Sequence, residues 1–598
     1  MPSSRAGIVL AGTGASFTGA VRNGGLIFGQ AKGIEVVSFA RFGTASAGGG
    51  VVNSGAIRPQ GQTFAFGIQV IDNSSFAGGV TNSGVIAQIG SAGNAVGIVV
   101  GGTTSFASGI SDSGSILNFS TGIDVNPITF TGGIKNSGLI AADKNGVLVE
   151  NGTYFSGGIA NSGTIGAELT AGVAVVQALT FAGGISNAGT ISGRTGILAK
   201  LERTFVGGIA NKGLISAAVA GIGALDETIF SGGIANSGTV AAGQFGLFAG
   251  ADSFFSGGIL NSGVVSVGSS GGQGVGVSGV SVFAGGITNS GALSVAGSGG
   301  RGINVDETST FAGNVVNAGT IGFANGNSAF GIDIGHVSTF AGSITNSGKI
   351  TGALTGVVLG SNTSGSPAFL TTFTGNVVNT GTINAFKGMA IGNSTVQGAI
   401  IDNGTIHGVF GIVVEPGAVI SHGMTFGAQS KMTITSAAVV VDAARFSGGI
   451  TAAGTIAANA AAIEVGGNIR SSRSVTVQSF GGGITNRGNM RTQFEGIWVG
   501  GNARSSSHLT ISSFSGGVSN AGTISAANVG VLIGGTAVSS SSIRISTFVG
   551  GVTNSGLIAA AMGILVGPGV SGSSVTIADF VGNVFNAGTI RAQTPAAR

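Results

Sequence analysis

Cysteine is absent from the 598 residues, which removes disulfides and thiolate metal ligands together. Tryptophan and tyrosine occur once each, as Trp498 and Tyr154. Two such residues cannot furnish the aromatic girdles of a transmembrane β-barrel. No apolar run reaches 18 residues, so no membrane-spanning helix is offered. Charged residues make up 7% of the chain, far below the share of about a quarter in an ordinary soluble domain. The pI of 9.7 with a formal charge of +4 therefore reflects scarce charge, not a basic coat, and no specific nucleic-acid partner is expected. Only from Asp442 onward is there a local bias, with nine arginines against four acidic residues.

What the chain has instead is 118 glycines, 35 phenylalanines and a phrase. FSGGIANSGTI runs from Phe155 to Ile165 and FSGGIANSGTV from Phe230 to Val240. With substitutions it starts at 20 places: 17, 47, 76, 106, 130, 155, 181, 205, 230, 255, 283, 311, 340, 373, 396, 446, 480, 514, 548 and 580. Hydrophobic residues are 42% of the chain and recur at fixed places, which argues against disorder. Glycine follows no three-residue period, which excludes collagen.

Within each phrase, apolar residues stand at the first, fifth and eleventh places, and a G-[IV]-x-[VIA] segment follows; alternation broken by Gly and Asn is a strand-and-turn signal. Starts lie 24 to 26 residues apart between 106 and 255 and 34 apart from 446 to 548. One such unit cannot bury its own apolar face, so units must stack and share a core. The predicted fold is an all-β, right-handed parallel β-solenoid of about 21 coils, roughly 100 Å long at the strand spacing of about 4.8 Å. Residues 1–445 form the coils of ordinary length, with one degenerate coil near 420–434, and 446–598 continue the solenoid with longer coils carrying an extra strand.

Asn holds the seventh place in 17 of 20 copies, with Asp112, Asp402 and Ala452 as the exceptions. Asn tolerates a left-handed backbone and passes amide hydrogen bonds between stacked copies, so Asn136, Asn161, Asn187, Asn211 and Asn236 are expected to form a ladder in a turn column. Phe holds the first place in 18 copies, and Phe130, Phe155, Phe181, Phe205 and Phe230 are expected to stack inside. Gly holds the ninth place in all 20, as a turn or a close backbone approach requires. The opening Gly7-Ile8-Val9-Leu10 reads as the last strand of a coil, in preference to a secretion signal, and RAQTPAAR closes the chain before its coil is complete; both ends read as cut through a repeat.

Tandem F-x-G-G-[IV]-x-N-[SA]-G-T-I units, as at Phe181–Ile191 and Phe514–Ile524, resemble the passenger regions of bacterial autotransporters of type V secretion, from Gly7 to Ile590. The resemblance implies a β-helical passenger outside a Gram-negative cell, carried by a C-terminal outer-membrane barrel translocator, and a role in adhesion, autoaggregation or biofilm contact with cell-surface or glycan ligands or with itself. Neither the barrel nor a clear export signal is in this sequence.

The rival class is a polysaccharide-active β-helix enzyme, which needs carboxylates clustered across coils. Asp306, Glu307, Asp333 and His336 are the best such group, with Asp333 aligned to Asn304 and facing outward. The four histidines, His336, His407, His422 and His508, lack ligand spacing; no metal, cofactor or catalytic residue is assigned. Two surface features stand out as candidate contact sites. The x of G-I-x-V reads Leu148, Ala174, Leu198, Gly223 and Phe248, and later Trp498, Leu532 and Leu565, an apolar ribbon on an outward position; either a covering element hides it or it is a contact surface. The segments added to the longer coils end in Val475–Val477, Leu509–Ile511, Ile543–Ile545 and Val575–Ile577, and carry Arg470, Arg473, Arg504, His508 and Arg544, a candidate basic patch beside Trp498.

Overall fold

The computed structural model describes residues 6–29, 31–44, 50–61, 64–90, 93–360, 370–469, 473–569 and 574–592, all strand, bridge, turn or irregular with no helix among them. The chain divides into two compact units, Met1–Gly286 with Gly291–Ala296, and Ile287–Ser290 with Gly297–Arg598. Each is a stack of coils joined by parallel ladders, and the coil's three-residue strand recurs 21 times over the described chain. The parallel β-solenoid anticipated from the repeat is the fold.

One coil of the first unit shows the plan. Tyr154–Phe155 lies on one face, Ile159–Asn161 on a second, and Thr164–Ala167 with Ala171–Val176 on a third, longer face. Each strand pairs in register with its counterpart in the next coil, Phe155 opposite Phe181, Asn161 opposite Asn187 and Val173 opposite Ile197. Between Phe130 and Phe255 the small variation in coil length is absorbed on the long face, where the ladder shifts register between Gly193 and Thr195, so the Phe and Asn faces stay aligned. In the second unit the coils from Phe446 onward lengthen by an extra strand before the phenylalanine: Ser474–Val477 pairs with His508–Ile511, and His508–Ile511 with the start of Ser542–Val549. Val477, Ile511 and Ile545 on that strand are fully buried.

Besides stacked Ile and Val columns, such as Ile159 on Ile185 and Val173 on Ile197, the interior holds a phenylalanine column and an asparagine column. In the first unit, Phe106, Phe130, Phe155, Phe181, Phe205, Phe230 and Phe255 stack with ring centroids 4.6–5.0 Å apart. In the second, Phe446, Phe480, Phe514, Phe548 and Phe580 do the same at 4.7–5.0 Å, while Val396 and Ile420 take the ring's place in two earlier coils. Phe42, not the residue at 47, completes the early stack: it pairs with Phe17 and Phe76, and the phrase is split before Val51.

The asparagines form the second column. Asn136, Asn161, Asn187, Asn211 and Asn236 are each 1–3% exposed, and every Nδ2 donates to the next Oδ1, at 2.8 Å, as far as Asn261. Each amide also donates to carbonyls at the corner, as Asn161 does to Gly163 and Thr190. One expectation needs correction: none of these asparagines is left-handed. They end extended strands, which is what points their amides inward and lets the ladder form; the left-handed positions are Gly158 in the tight corner (φ +69°) and non-glycine residues such as Gln177 and Leu201 (φ +58° and +66°) before the phenylalanine. The ninth-place glycine serves close approach: a Cβ on Gly163 would lie 2.2 Å from the Gly138 carbonyl oxygen one coil back.

Candidate functional site

The outward ribbon of the first unit closes on itself. Leu148, Ala174, Leu198, Gly223, Phe248 and Gly276 are successive partners in one column, and large side chains alternate with small ones. A Cβ on Gly276 would meet the Phe248 ring at 2.8 Å, so that ring lies over its glycine neighbour, and Leu148, Leu198 and Phe248 are only half-exposed. The residues are where alternation puts them, but interdigitation has removed much of the apolar surface.

Trp498 shows the same effect more strongly and corrects the expectation of a presented aromatic. It is 4% exposed, packs with Ala461, Val529, Leu532 and Leu565, and donates from Nε1 to the Gly534 carbonyl at 3.0 Å. Ala460, Phe494 and Asn528, at the bend between the two halves of the long face, wall the space in front of it. Alternation gives the side of the sheet, and the re-entrant bend decides whether that side is wet. The basic residues do not form one patch. Arg504 lines the space beside Trp498, and Arg473 lines a different cleft. His508, whose Nδ1 lies 2.8 Å from Ser542 Oγ, and Arg544 stand exposed two columns apart on the added strand. Arg470 lies outside the described residues.

The cleft that Arg473 lines lies on the same column as Trp498, further back along the stack. The column of Trp498 runs back through Glu464, Val440 and Val413, one residue per coil. Their neighbours Ile412, Val439 and Val441 are fully buried in the core, so the side chains between them are turned out into a cleft of about 520 Å³ lined by Lys387, Phe410, Val413, Ser436, Ala437, Val440, Asp442, Glu464 and Arg473. A second hollow of about 410 Å³ shares Val413, Asp442 and Arg473 and adds Asn393, Glu415 and Pro416. Lys387 Nζ is 3.4 Å from Glu415. Glu464 is 1% exposed and its Oε1 has no hydrogen-bond partner; Asp442 Oδ1 also has none. Burial, with the Asp442 and Glu495 charges adding to it, pushes the Glu464 carboxyl up to about 8. Burial pushes Asp442 up to about 7, with Arg473 opposing and Glu415 assisting. Both acids thus hold protons near neutrality.

Sequence reasoning passed over Glu464 because its coil reads Ala462-Ile463-Glu464-Val465, without the glycine of G-I-x-V. It did find the group of Asp306, Asp333 and His336, and the structure brings these together but pairs them off. Arg301 Nε donates to Asp333 Oδ2 at 2.7 Å, and His336 Nδ1 lies 2.8 Å from Asp306 Oδ1. Burial raises Asp333 despite Arg301. Among the described residues no three His, Cys, Asp or Glu side chains are grouped to hold a metal ion.

In the first unit a different acid column is wholly internal. Glu202, Glu227 and Asp252, each 1% exposed, stand three residues before Phe205, Phe230 and Phe255. Burial drives all three upward, Glu202 to about 7 and Asp252 to about 6. Their common offset from the phenylalanine is the signal that could have found them.

No protein-family model, curated protein or solved structure matches this chain.

Proposed function

We propose that the chain is a contact-making scaffold of a bacterial surface: an extracellular solenoid, borne on a Gram-negative outer membrane by a β-barrel translocator in its parent protein, that mediates adhesion, autoaggregation or biofilm contact. The observation that carries this reading is where the strictest repetition is spent. The Phe and Asn columns, kept in 18 and 17 of the 20 copies, face inward and hold coil to coil. Outward places vary from coil to coil, as at Thr129, Tyr154, Thr180, Thr204, Ile229 and Phe254 along one column. A scaffold of this kind stacks as many coils as reach demands and leaves its outer faces free for partners. The resemblance of its F-x-G-G-[IV]-x-N units to autotransporter passengers supplies the surface setting, and self-association or a glycan ligand the contact.

The test is display. Fused to an outer-membrane translocator in a non-aggregating host, the chain is expected to speed sedimentation of the culture or raise attachment to cells or glycan-coated plates, compared with the translocator alone. Equal sedimentation and attachment, with the chain shown by antibody to be on the surface, overturns the reading. Cleavage of a polysaccharide by the purified chain would move it to the enzyme class.

A further inference from the structure

We propose that the outer side of the phenylalanine-bearing face of the first unit is where two copies of this chain pack on each other, antiparallel. This surface serves the self-contact already proposed for the chain and rests on that reading for its role. A chain that proves monomeric in solution removes the surface and leaves attachment to cells or glycans standing.

Six large apolar side chains stand out over six consecutive coils: Ile128, Tyr154, Leu179, Val206, Ile229 and Phe254, each 38–50% exposed. Tyr154, Ile229 and Phe254 immediately precede a buried phenylalanine and Val206 follows one, so alternation turns them outward; Ile128 and Leu179 stand at the turn into the same strand. The ladder keeps their column straight, with Tyr154 between Thr129 and Thr180, and Ile229 between Thr204 and Phe254. Before the patch the same column carries Ser75 and Ser105. Among the described residues, Arg203 is the one charged side chain exposed inside the patch; Glu150, Lys200 and Asp226 stand at its edge, the last two 3.8 Å apart.

At about 200 Å² for a large side chain, these exposures leave roughly 500 Å² of apolar surface in one place. That is the upper end of what a monomer leaves open. It is also more than half of the about 800 Å² that each partner gives to a stable dimer, the apolar share found in homodimers. Shape then selects a second copy. The face is a ladder with a rung about every 4.8 Å, and side chains so spaced interleave with a sheet of the same spacing. Ile128, Tyr154 and Leu179 form one lobe and Ile229 and Phe254 another, on either side of the coil of Thr204. A two-fold axis through that coil lays each lobe on the other lobe of the second copy, as an isologous contact requires, and brings Tyr154 against Phe254. A charged ligand finds only Arg203 to pair with.

Sedimentation velocity of the purified chain over about 1–100 µM should show a monomer–dimer equilibrium with a midpoint in the micromolar range. Tyr154→Ser with Phe254→Ser should weaken it about tenfold or more, because aromatic side chains carry much of the binding at interface centres. Ile229→Lys, which buries an unpaired charge in the contact, should do the same. Unchanged hydrogen exchange at the amides of Phe155, Phe230 and Phe255 checks that the coils remain folded in both variants. Leu139→Ser with Leu214→Ser alters two leucines that are 39% and 40% exposed but lie on the long face, and should leave dimerisation as it was. For the orientation, a bis-maleimide of about 13 Å should join chains carrying Thr153→Cys to chains carrying Ser253→Cys, and should not join Thr153→Cys to itself, whose two copies lie about four strand spacings apart along the stack. A chain that stays monomeric at about 100 µM, dimers that survive both face variants, equal weakening by the leucine control, or joining of Thr153→Cys to itself overturns the proposal. Binding of phosphatidylcholine vesicles by a monomeric chain, lost with Tyr154→Ser and Phe254→Ser, would also overturn it and give the face to lipid.

Discussion

Asp112→Asn should stabilise the protein, and more so as the pH rises. Asp112 takes an asparagine's place in the ladder: it is fully buried, Asn82 donates to its Oδ1 at 2.6 Å, and its Oδ2 has no partner. A carboxylate accepts but cannot donate, so the relay that passes from Asn to Asn elsewhere halts there. Burial raises its pKa from 3.8 to about 6 against the Asn82 and Gly114 hydrogen bonds that oppose the rise. A carboxyl raised on folding contributes its full stability below pH 4 and loses it as pH climbs through 6. The loss is about 3 kcal/mol at most, at about 1.4 kcal/mol per pH unit. Asparagine avoids that loss and restores one donor to Asn136, adding about 1 kcal/mol. Long repeat arrays do not unfold in one step, so the assay is hydrogen exchange of amides from Phe106 to Asn136, corrected for intrinsic rates, at pH 4.5 and 7.5. The variant should be better protected than wild type by roughly 2–4 kcal/mol at pH 7.5 and by roughly 1–2 kcal/mol at pH 4.5, where part of the loss has already set in. Lower protection at pH 7.5, or a difference that does not change with pH, refutes the reasoning.

Phe181→Ala deletes a fully buried ring stacked at 4.8 Å on both Phe155 and Phe205, and should cost about 3–5 kcal/mol, seen as lost protection in its own and adjoining coils with distant coils of the same unit unchanged. Glu227→Gln removes the middle acid of the internal column; because all three pKa values are raised, the acids destabilise as pH rises from 5 to 8, and the variant should gain protection over Leu201–Phe255 at pH 8 with little change at pH 5.

The fold was legible because two residues six apart, Phe and Asn, keep their separation whatever the coil length, and such constancy has a physical cause only if both columns stack. The exception at 47 was misread because an insertion parts Phe42 from Val51, and a phrase search then counts back to Ala47. Asn was assigned a left-handed turn because it forms both turns and ladders; burial of its amide against the coil above requires the extended form. Site residues were less legible. Strand alternation correctly turned Trp498 outward, but its exposure depends on Phe494 and Asn528 at a bend, which no two-residue period encodes. Acids are rarely buried, so composition does not point to Glu227 as internal, although its offset from Phe230 matches that of Glu202 and Asp252 from their own phenylalanines.

The central claim, that each phrase is one coil stacked in register on the next, is tested most directly by cysteine pairs in this cysteine-free chain. Ala160 and Ser186 are exposed partners on neighbouring Asn-face strands, and Ala210 is the partner of Ser186 one coil further. Strand spacing puts the first pair about 4.8 Å apart, within disulfide reach, and Ala160 and Ala210 about twice that, beyond it. Ala160→Cys with Ser186→Cys should form an intramolecular disulfide in high yield under mild oxidation, shown by peptide mass mapping. Ala160→Cys with Ala210→Cys should not. Failure of the first pair to close, or equal closure of both, would contradict the account.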